Sequence, residues 1–442
     1  MARAYFGTDG IRGRVGEHPM TVAFALRLAS AVARVLAREG GSVLIGKDTR
    51  LSGYMFESAL EAGFVAAGVN VLMMGPLPTP GIAYMTRKLG CNFGVVISAS
   101  HNQFEDNGIK FFDAEGGKLS DELEEQIEAE LALEPVTRSS DKLGVARRVD
   151  TLRTQYQEFC SSTLPKGIDL KGLKIVVDCA NGAAYKVAPR TLADLGAEIV
   201  PIGSSPNGRN INVGCGSTAP ELLQLTVPGV GAQVGIALDG DGDRLLMVDH
   251  LGRIVDGDQL LFVLACARHA AGTLQGPIVG TLMSNLGLEL ALNERGIAFE
   301  RAAVGDRYVL ARLRETGGVL GGETSGHLLS LDFTTTGDGL VSALQILAIM
   351  KRSGKSLAEL AAGMSRMPQV LLNVKVTKRY DPLMVPHLCA LVDALQQRLS
   401  RHGRIVLRAS GTEPLIRVMV EARDEAEARS CAEELAAAVR AV

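Results

Sequence analysis

Short apolar runs break off into polar turns at intervals along the chain. Val43-Leu44-Ile45-Gly46 runs into Lys47-Asp48-Thr49-Arg50. Lys174-Ile175-Val176-Val177 runs into Asp178-Cys179-Ala180-Asn181-Gly182, and Pro277-Ile278-Val279-Gly280 into Thr281-Leu282-Met283-Ser284-Asn285. Each run is β-branched, bounded by turn residues and too short for a helix. Apolar positions at helical spacing follow, as over Ser58 to Ala67. Strands alternating with helices predict α/β layers with largely parallel sheets, and the recurrence predicts three units of similar build. The C-terminal stretch differs. Val370 to Val376 reads as a strand, Pro382 to Leu399 as a helix, Arg404 to Leu407 and Pro414 to Glu421 as strands, and Asp424 to Val439 as a helix. That order suits a small α+β domain. The polar stretches Glu134 to Asp150 and Lys351 to Ser356 read as joints.

Composition narrows the class. A chain of 442 residues exceeds one compact core. A net charge of −3 gives no reason to expect nucleic acid or an anionic membrane. Seven cysteines without a C-x-x-C pair read as reduced thiols, which places the protein in the cytoplasm. The start MARAYFGTDG lacks a signal peptide's apolar stretch, and no apolar run is long enough to span a bilayer.

The sharpest chemical signal is IALDGDGDR, Ile236 to Arg244. An apolar run delivers Asp239, Asp241 and Asp243 at alternate positions, which share one face of an extended chain. Three clustered carboxylates repel one another and suit a hard divalent cation, with Mg²⁺ the expected choice. An EF-hand loop fails, because Arg244 and His250 stand where it needs Gly and Glu; a solvated acidic turn is the bland alternative. In RASGTEPLIR, Ser410, Gly411 and Thr412 form a small-residue turn flanked by Arg408 and Arg417, suited to phosphate oxygens or simply to a hairpin. In GGETSGH, Glu323, Ser325 and His327 alternate, so a carboxylate, a hydroxyl and an imidazole facing one way suit sugar hydroxyls; a capped polar turn is the alternative. Arg12, in FGTDGIRG, is a phosphate contact or an ordinary surface arginine. In VVISASHNQFEDNGIKFF, a run that should end in a plain turn stops at Ser98-Ala99-Ser100-His101-Asn102. Ser-His adjacency suggests a hydrolase, but no G-x-S-x-G elbow is present. Ser100 could instead carry a phosphate, with Lys110 and Arg244 supplying charge and the Asp239 group a metal; a capped turn is the alternative.

Together these motifs resemble the α-D-phosphohexomutases, along essentially the whole chain. GKDTRLSGYMFESAL, NGRNINVGCGST, TLMSNLGLE and VGDRYV are similar to the branch acting on glucosamine phosphates. The resemblance implies three similar α/β/α domains with mixed sheets and a smaller C-terminal α+β domain around a central cleft, at 1–150, 151–255, 256–368 and 369–442. It implies that glucosamine 6-phosphate and glucosamine 1-phosphate interconvert through a phosphoserine at Ser100 and a 1,6-bisphosphate. Mg²⁺ would sit on Ser100, Asp239, Asp241 and Asp243, and glucosamine or glucose 1,6-bisphosphate would serve as activator and intermediate. Glu323 and Ser325 would hold sugar hydroxyls. Arg408, Ser410, Gly411, Thr412 and Arg417 would bind the non-reacting phosphate. Arg12, Lys110, Arg244 and His327 would line the reacting end, with Lys110 or His327 as the base. Expected partners are small-molecule sugar phosphates, with neither nucleic acid nor membrane; a homodimer is one assembly in view. One departure stands out: Gln103 replaces the proline usual after the S-H-N of the serine loop, which leaves that turn without a pre-set backbone. Two rivals remain at this stage, a phosphatase using Asp239 as nucleophile and a non-catalytic sugar-phosphate sensor.

Overall fold

The computed structural model describes residues 4–149, 151–378, 380–409 and 414–442. Four sheets follow one another along the chain. In the first the strands lie in the order Ile11–Arg14, Asp106–Asp113, Phe93–Ile97, Gly41–Lys47, Val69–Pro76 and Ala146–Arg148. The second runs Ile254–Val255, Leu245–Asp249, Val234–Leu238, Lys174–Asp178 and Glu198–Ile202. The third runs Phe299–Ala302, Ile278–Thr281, Leu320–Gly322 and Leu328–Ser330, and the fourth Gln369–Lys375, Leu415–Glu421 and Arg404–Ala409.

The three apolar runs singled out in the sequence are central strands. Gly41–Lys47, Lys174–Asp178 and Ile278–Thr281 each pair in parallel with both neighbours. A parallel strand covered on both faces must be apolar throughout, and Phe93–Ile97 and Val234–Leu238 are buried at every position. Beside this parallel centre each sheet turns back on itself. Phe93–Ile97 pairs antiparallel with Asp106–Asp113, Val234–Leu238 with Leu245–Asp249, and Leu320–Gly322 with Leu328–Ser330. In the fourth, wholly antiparallel sheet, Arg404–Ala409 returns as Leu415–Glu421. The loops closing the first three of these pairs, 98–105, 239–244 and 323–327, carry the serine, aspartate and sugar motifs.

Both expected joints are structural. Within Glu134 to Asp150, the strand Ala146–Arg148 pairs with Val71–Met73 and completes the edge of the first sheet. Lys351 to Ser356 punctuates two helices of one unit. Gly354 at φ 67 ends Gly339–Ser353, and a Ser356/Glu359 capping box starts Leu357–Ala361. These stretches are polar because they cap and turn.

One apolar core joins the second and third units to a face of the first, and a second core fills the other face of the first sheet. The fourth unit has its own core, around Leu388, Leu407, Val418 and Leu435. Its junction with the third unit includes a polar cluster. The buried Glu421 accepts from Asn285 Nδ2 (3.1 Å), Leu286 N (3.2 Å) and Arg404 Nε (2.9 Å), and Arg404 donates to Leu282 O (2.7 Å) and Ser284 O (2.9 Å). Among the described residues no helix is long and apolar enough to cross a membrane.

Candidate active site

Ser100 sits where a buried strand ends, and its backbone is strained. Its φ of 52° is in the left-handed region that residues with a Cβ rarely adopt. The conformation is held from several sides. Ser98 Oγ accepts from Ser100 N (3.0 Å) and donates to Asp48 Oδ2 (2.6 Å). The fully buried Arg50 pairs with Asp48 (2.8 Å) and donates to Ser100 O (3.1 Å), Asn102 O (2.7 Å), Asp106 O (3.1 Å) and Gln103 O. From the second unit, Asn212 Nδ2 donates to Ser100 O and Asn102 O, both at 2.8 Å. The missing proline is therefore made good: the loop, Gln103 included, is braced by its carbonyls.

So held, Ser100 Oγ donates to Asp239 Oδ2 at 2.6 Å. Oxygens of Asp239, Asp241 and Asp243 lie within 4.8 Å of one another. They converge through a turn, not through the extended chain that the alternation predicted. Gly242 N bonds Asp239 O (3.1 Å), and Gly242 has φ 73°. Gly240 approaches the serine loop so closely that a Cβ there would lie 2.4 Å from Ser100 O. Burial, with Asp243 and Asp241 adding to it, pushes the Asp239 carboxyl well above its ordinary range. Burial would raise Asp241 too, but Lys110 holds it below. Asp241 Oδ1 and Asp243 Oδ1 are buried without a hydrogen-bond partner. Mutually repelling carboxylates with orphaned oxygens fit a divalent cation.

Cations surround the acids. Lys110 Nζ lies 2.7 Å from Asp241, 2.8 Å from Asp9 and 3.9 Å from Asp243. Burial would lower its pKa, but these aspartates raise it instead. Arg12 pairs with Asp9 and reaches Ala99 O at 3.5 Å. Arg244 N donates to Asp239 Oδ1 (3.1 Å), while its Nε is buried and unpartnered. His101 is pushed down to about 4 by burial and then by Arg244 and Arg12, so it is a neutral imidazole at pH 7. Burial would lower His327, but Asp243 and Asp306 lift it to about 9. Arg12, His101, Arg244, Glu323, Asp306 and His327 line one cleft of about 460 Å³. A larger groove of about 1080 Å³, between Leu173, Pro228, Leu251 and Met350, touches none of them.

The sugar motif departs from its predicted alternation. Glu323 and His327 line the cleft, but Ser325 is exposed and is not among its lining residues. Residues 324–326 form a turn, with Gly326 N bonding Glu323 O (2.9 Å), and Thr324 Oγ1 turns inward to Asp258 Oδ2 (2.7 Å). Arg408 and Arg417 are half-buried cross-strand partners, and neither lines the cleft. Ser410, Gly411 and Thr412 lie outside the described residues. Sequence reasoning gave no role to Asp9, Thr79, Lys118 or Asp306. Asp9 and Asp306 stand inside the quoted stretches FGTDGIRG and VGDRYV, so the signal was local but unassigned. Thr79 donates to Asp241 Oδ2 at 2.7 Å, and nothing in its surroundings along the chain announces it.

Family models match the chain in order. The phosphoglucomutase/phosphomannomutase alpha/beta/alpha domains I, II and III cover residues 3–135, 155–252 and 256–367, and the C-terminal domain covers 371–438. The chain belongs to the phosphoglucomutase/phosphomannomutase family. Each family domain holds one of the four sheets, apart from the edge strands Ala146–Arg148 and Ile254–Val255 and the first two residues of Gln369–Lys375, which lie beyond the matched ranges. Among curated relatives, a phosphoglucosamine mutase of Cupriavidus metallidurans is 57% identical over 448 residues, covering all of both chains. One of Halorhodospira halophila is 56% identical over 439 residues, covering 99% of this chain and 96% of its own. A solved phosphoglucomutase/phosphomannomutase family protein of Burkholderia thailandensis superposes with a TM-score of 0.80 at 25% identity, covering 98% and 97% of the two chains. Aspergillus fumigatus N-acetylphosphoglucosamine mutase, solved with GlcNAc-6P and magnesium, shares the fold with a TM-score of 0.71 at 20% identity, covering 99% and 96%.

Proposed function

We propose that this chain acts as a phosphoglucosamine mutase, interconverting glucosamine 6-phosphate and glucosamine 1-phosphate through a phosphoserine at Ser100. The observation that carries the reading is the 2.6 Å contact of Ser100 Oγ with Asp239, 139 residues away, inside a carboxylate triad. The activity named for relatives at 56–57% identity over the full length supports the choice of sugar.

In the forward step the P–O bond to Ser100 Oγ breaks as a new one forms to the sugar's free hydroxyl oxygen. That hydroxyl's proton would pass to Lys110 or His327 only where that side chain is deprotonated, and in the resting site burial lowers the pKa of each but the aspartates around it raise it more. The bound species is then a 1,6-bisphosphate. After it turns around, its other phosphate returns to Ser100 Oγ by the reverse step. Asp239, Asp241 and Asp243, with an oxygen of the Ser100 phosphate, would hold Mg²⁺, which supplies positive charge against the transferred oxygens. Arg12, Lys110 and Arg244 neutralise the remaining charge, and the unpartnered Nε of Arg244 is a donor waiting for an anion. Glu323 holds sugar hydroxyls from the cleft wall, with Ser325 at the exposed edge of the same turn. Arg408 and Arg417, side by side and of like charge, grip the distal phosphate with Ser410, Gly411 and Thr412. Glucosamine or glucose 1,6-bisphosphate primes the serine. The free cysteines fit a cytoplasmic enzyme.

The test is intact mass and peptide mapping before and after glucose 1,6-bisphosphate, with turnover of glucosamine 6-phosphate by wild type and Ser100→Ala. An acid-stable phosphate on Ser100 and no turnover in the alanine variant are expected. A metal-replete Ser100→Ala enzyme with full activity would overturn the reading.

A further inference from the structure

The reading above leaves open which side chain recognises the amine that distinguishes glucosamine from glucose. An ammonium inside a partly closed cleft needs a carboxylate oxygen that is not already paired with a cation. The cleft offers four carboxylates, Asp9, Asp243, Asp306 and Glu323. Asp243 belongs to the metal set. Asp9 is held by Arg12, Lys110 (2.8 Å) and Lys118 (2.7 Å). Glu323 is the group assigned to ring hydroxyls. Its Oε1 accepts from Gly305 N at 3.1 Å, which brings the backbone next to Asp306 directly against it.

Asp306 is the remaining one, and its setting is built. Gly305 takes φ 128°, a conformation that strains any residue with a Cβ, and so turns the chain into the helix Asp306–Thr316 at the cleft wall. Arg307 fixes that end by pairing across the cleft wall with Asp121 and with Glu124 (2.6 Å) of the first unit. The Asp306 side chain is 14% exposed. Its Oδ2 receives Lys118 Nζ (2.5 Å) and lies 3.3 Å from His327 Nε2, while Oδ1 accepts from Arg307 N (2.8 Å), leaving that oxygen a second lone pair.

We propose that Asp306 is the specificity-determining residue for the amino sugar, accepting from the C2 ammonium while the adjoining Glu323 holds neighbouring ring hydroxyls. This rests on the mutase reading. C2 and C3 are adjacent on the ring, so the group reading C2 must stand beside the one reading C3. Asp306 has that relation to Glu323. A glucose phosphate offers the same oxygen only a neutral hydroxyl, and a charge-assisted hydrogen bond is roughly twice as strong as a neutral one.

The experiment measures dissociation constants for glucosamine 6-phosphate and glucose 6-phosphate by calorimetry, on wild type and Asp306→Asn, with circular dichroism to establish folding. The preference for the amino sugar is expected to fall about tenfold or more in Asp306→Asn. A preference within about twofold of wild type, whatever happens to the two affinities in common, overturns the proposal. Lys118→Met gives an independent reading should the first variant fail to fold. It removes the cation competing for the carboxylate, so the preference should rise severalfold, and no rise overturns the proposal. Failure of the mutase reading would appear elsewhere, as absence of a Ser100 phosphate and of turnover in the wild-type enzyme.

Discussion

Replacing Arg50 by lysine should disable the serine loop without touching the cleft. Arg50 is fully buried, and its guanidinium spans Asp48 and the carbonyls of residues 100, 102, 103 and 106. A lysine keeps the charge but has one compact donor head, which cannot reach all of these at once. Hydrogen bonds to charged groups contribute about 1.5–3 kcal/mol each and do not add simply. Breaking a buried pair from one side costs about 3–5 kcal/mol. The left-handed conformation of Ser100 costs about 1–3 kcal/mol to maintain. The lost bracing exceeds the strain it restrains, so in the variant the loop relaxes and Ser100 Oγ leaves Asp239.

A displacement of about 1 Å at a reacting atom can cost about 100-fold in rate. The assay is steady-state turnover of glucosamine 6-phosphate, together with the phosphorylated fraction of Ser100 by mass and a thermal melt. The expected result is kcat down about 100-fold with KM within about threefold, since Arg50 does not line the cleft. A variant that melts with the wild type and keeps kcat within about threefold would show that the bracing is not what places the serine.

Three further outcomes follow from the same geometry. Gly240→Ala puts a Cβ 2.4 Å from the Ser100 carbonyl, so it should lose about 1–3 kcal/mol of stability and most activity; wild-type kcat in that variant contradicts the close approach. The buried Asp338 accepts from Tyr156 OH (2.8 Å) and Val341 N (3.0 Å), and burial lifts its carboxyl from 3.8 to about 6. A raised carboxyl binds its proton more tightly in the folded state, so its contribution is complete below pH 3.8 and lost as pH rises through about 6. Asp338→Asn should therefore gain stability relative to wild type across that window, by up to about 3 kcal/mol, and parallel pH–stability curves would refute this. Mg²⁺ added to EDTA-stripped protein should raise the melting temperature, by the equivalent of about 2.7 kcal/mol at a hundredfold excess over Kd; Asp243→Asn should blunt the rise, and an equal rise in both would remove Asp243 from the metal set.

What the sequence disclosed depended on how local the cause was. The central strands were visible because burial on both faces forces an unbroken apolar run, as at Val43 to Ile45 and Val234 to Leu238. The loop chemistry was visible because polar residues interrupt those runs abruptly. Turn geometry was not visible. Asp239, Asp241 and Asp243 do converge, but through a turn at Gly242 and not by alternation, and Ser325 likewise stands exposed in a turn where alternation had put it beside Glu323 and His327. The bracing residues were hidden for a different reason. Arg50 acts on carbonyls 50 to 56 residues away, and Asn212 on one 112 residues away. No periodicity records such contacts. Lys351 to Ser356 shows the opposite error, where polarity demanded by helix caps was taken for a boundary.

The way the units are joined divides the site into fixed and adjustable parts. The carbonyls of the metal turn accept from Thr79 N of the first unit (to Asp241 O, 2.9 Å) and from Gly339 N of the third (to Gly242 O, 3.1 Å). Leu245 N, just past that turn, bonds Gly326 O of the sugar loop at 3.0 Å. Backbone bonds therefore tie three units at the reacting end, over a shared apolar core, and that end cannot shift without breaking both. The fourth unit has a separate core and a junction whose polar part is the Glu421, Arg404 and Asn285 cluster. Charged hydrogen bonds can be exchanged with water at modest net cost, whereas opening a packed apolar core exposes area at about 25 cal/mol per Å². A bisphosphate that must present either end to one serine needs a rigid transfer site and a phosphate grip that accommodates two orientations. In this chain the proposed grip, Arg408 and Arg417, belongs to the unit with its own core, and the proposed transfer site spans the three that share one.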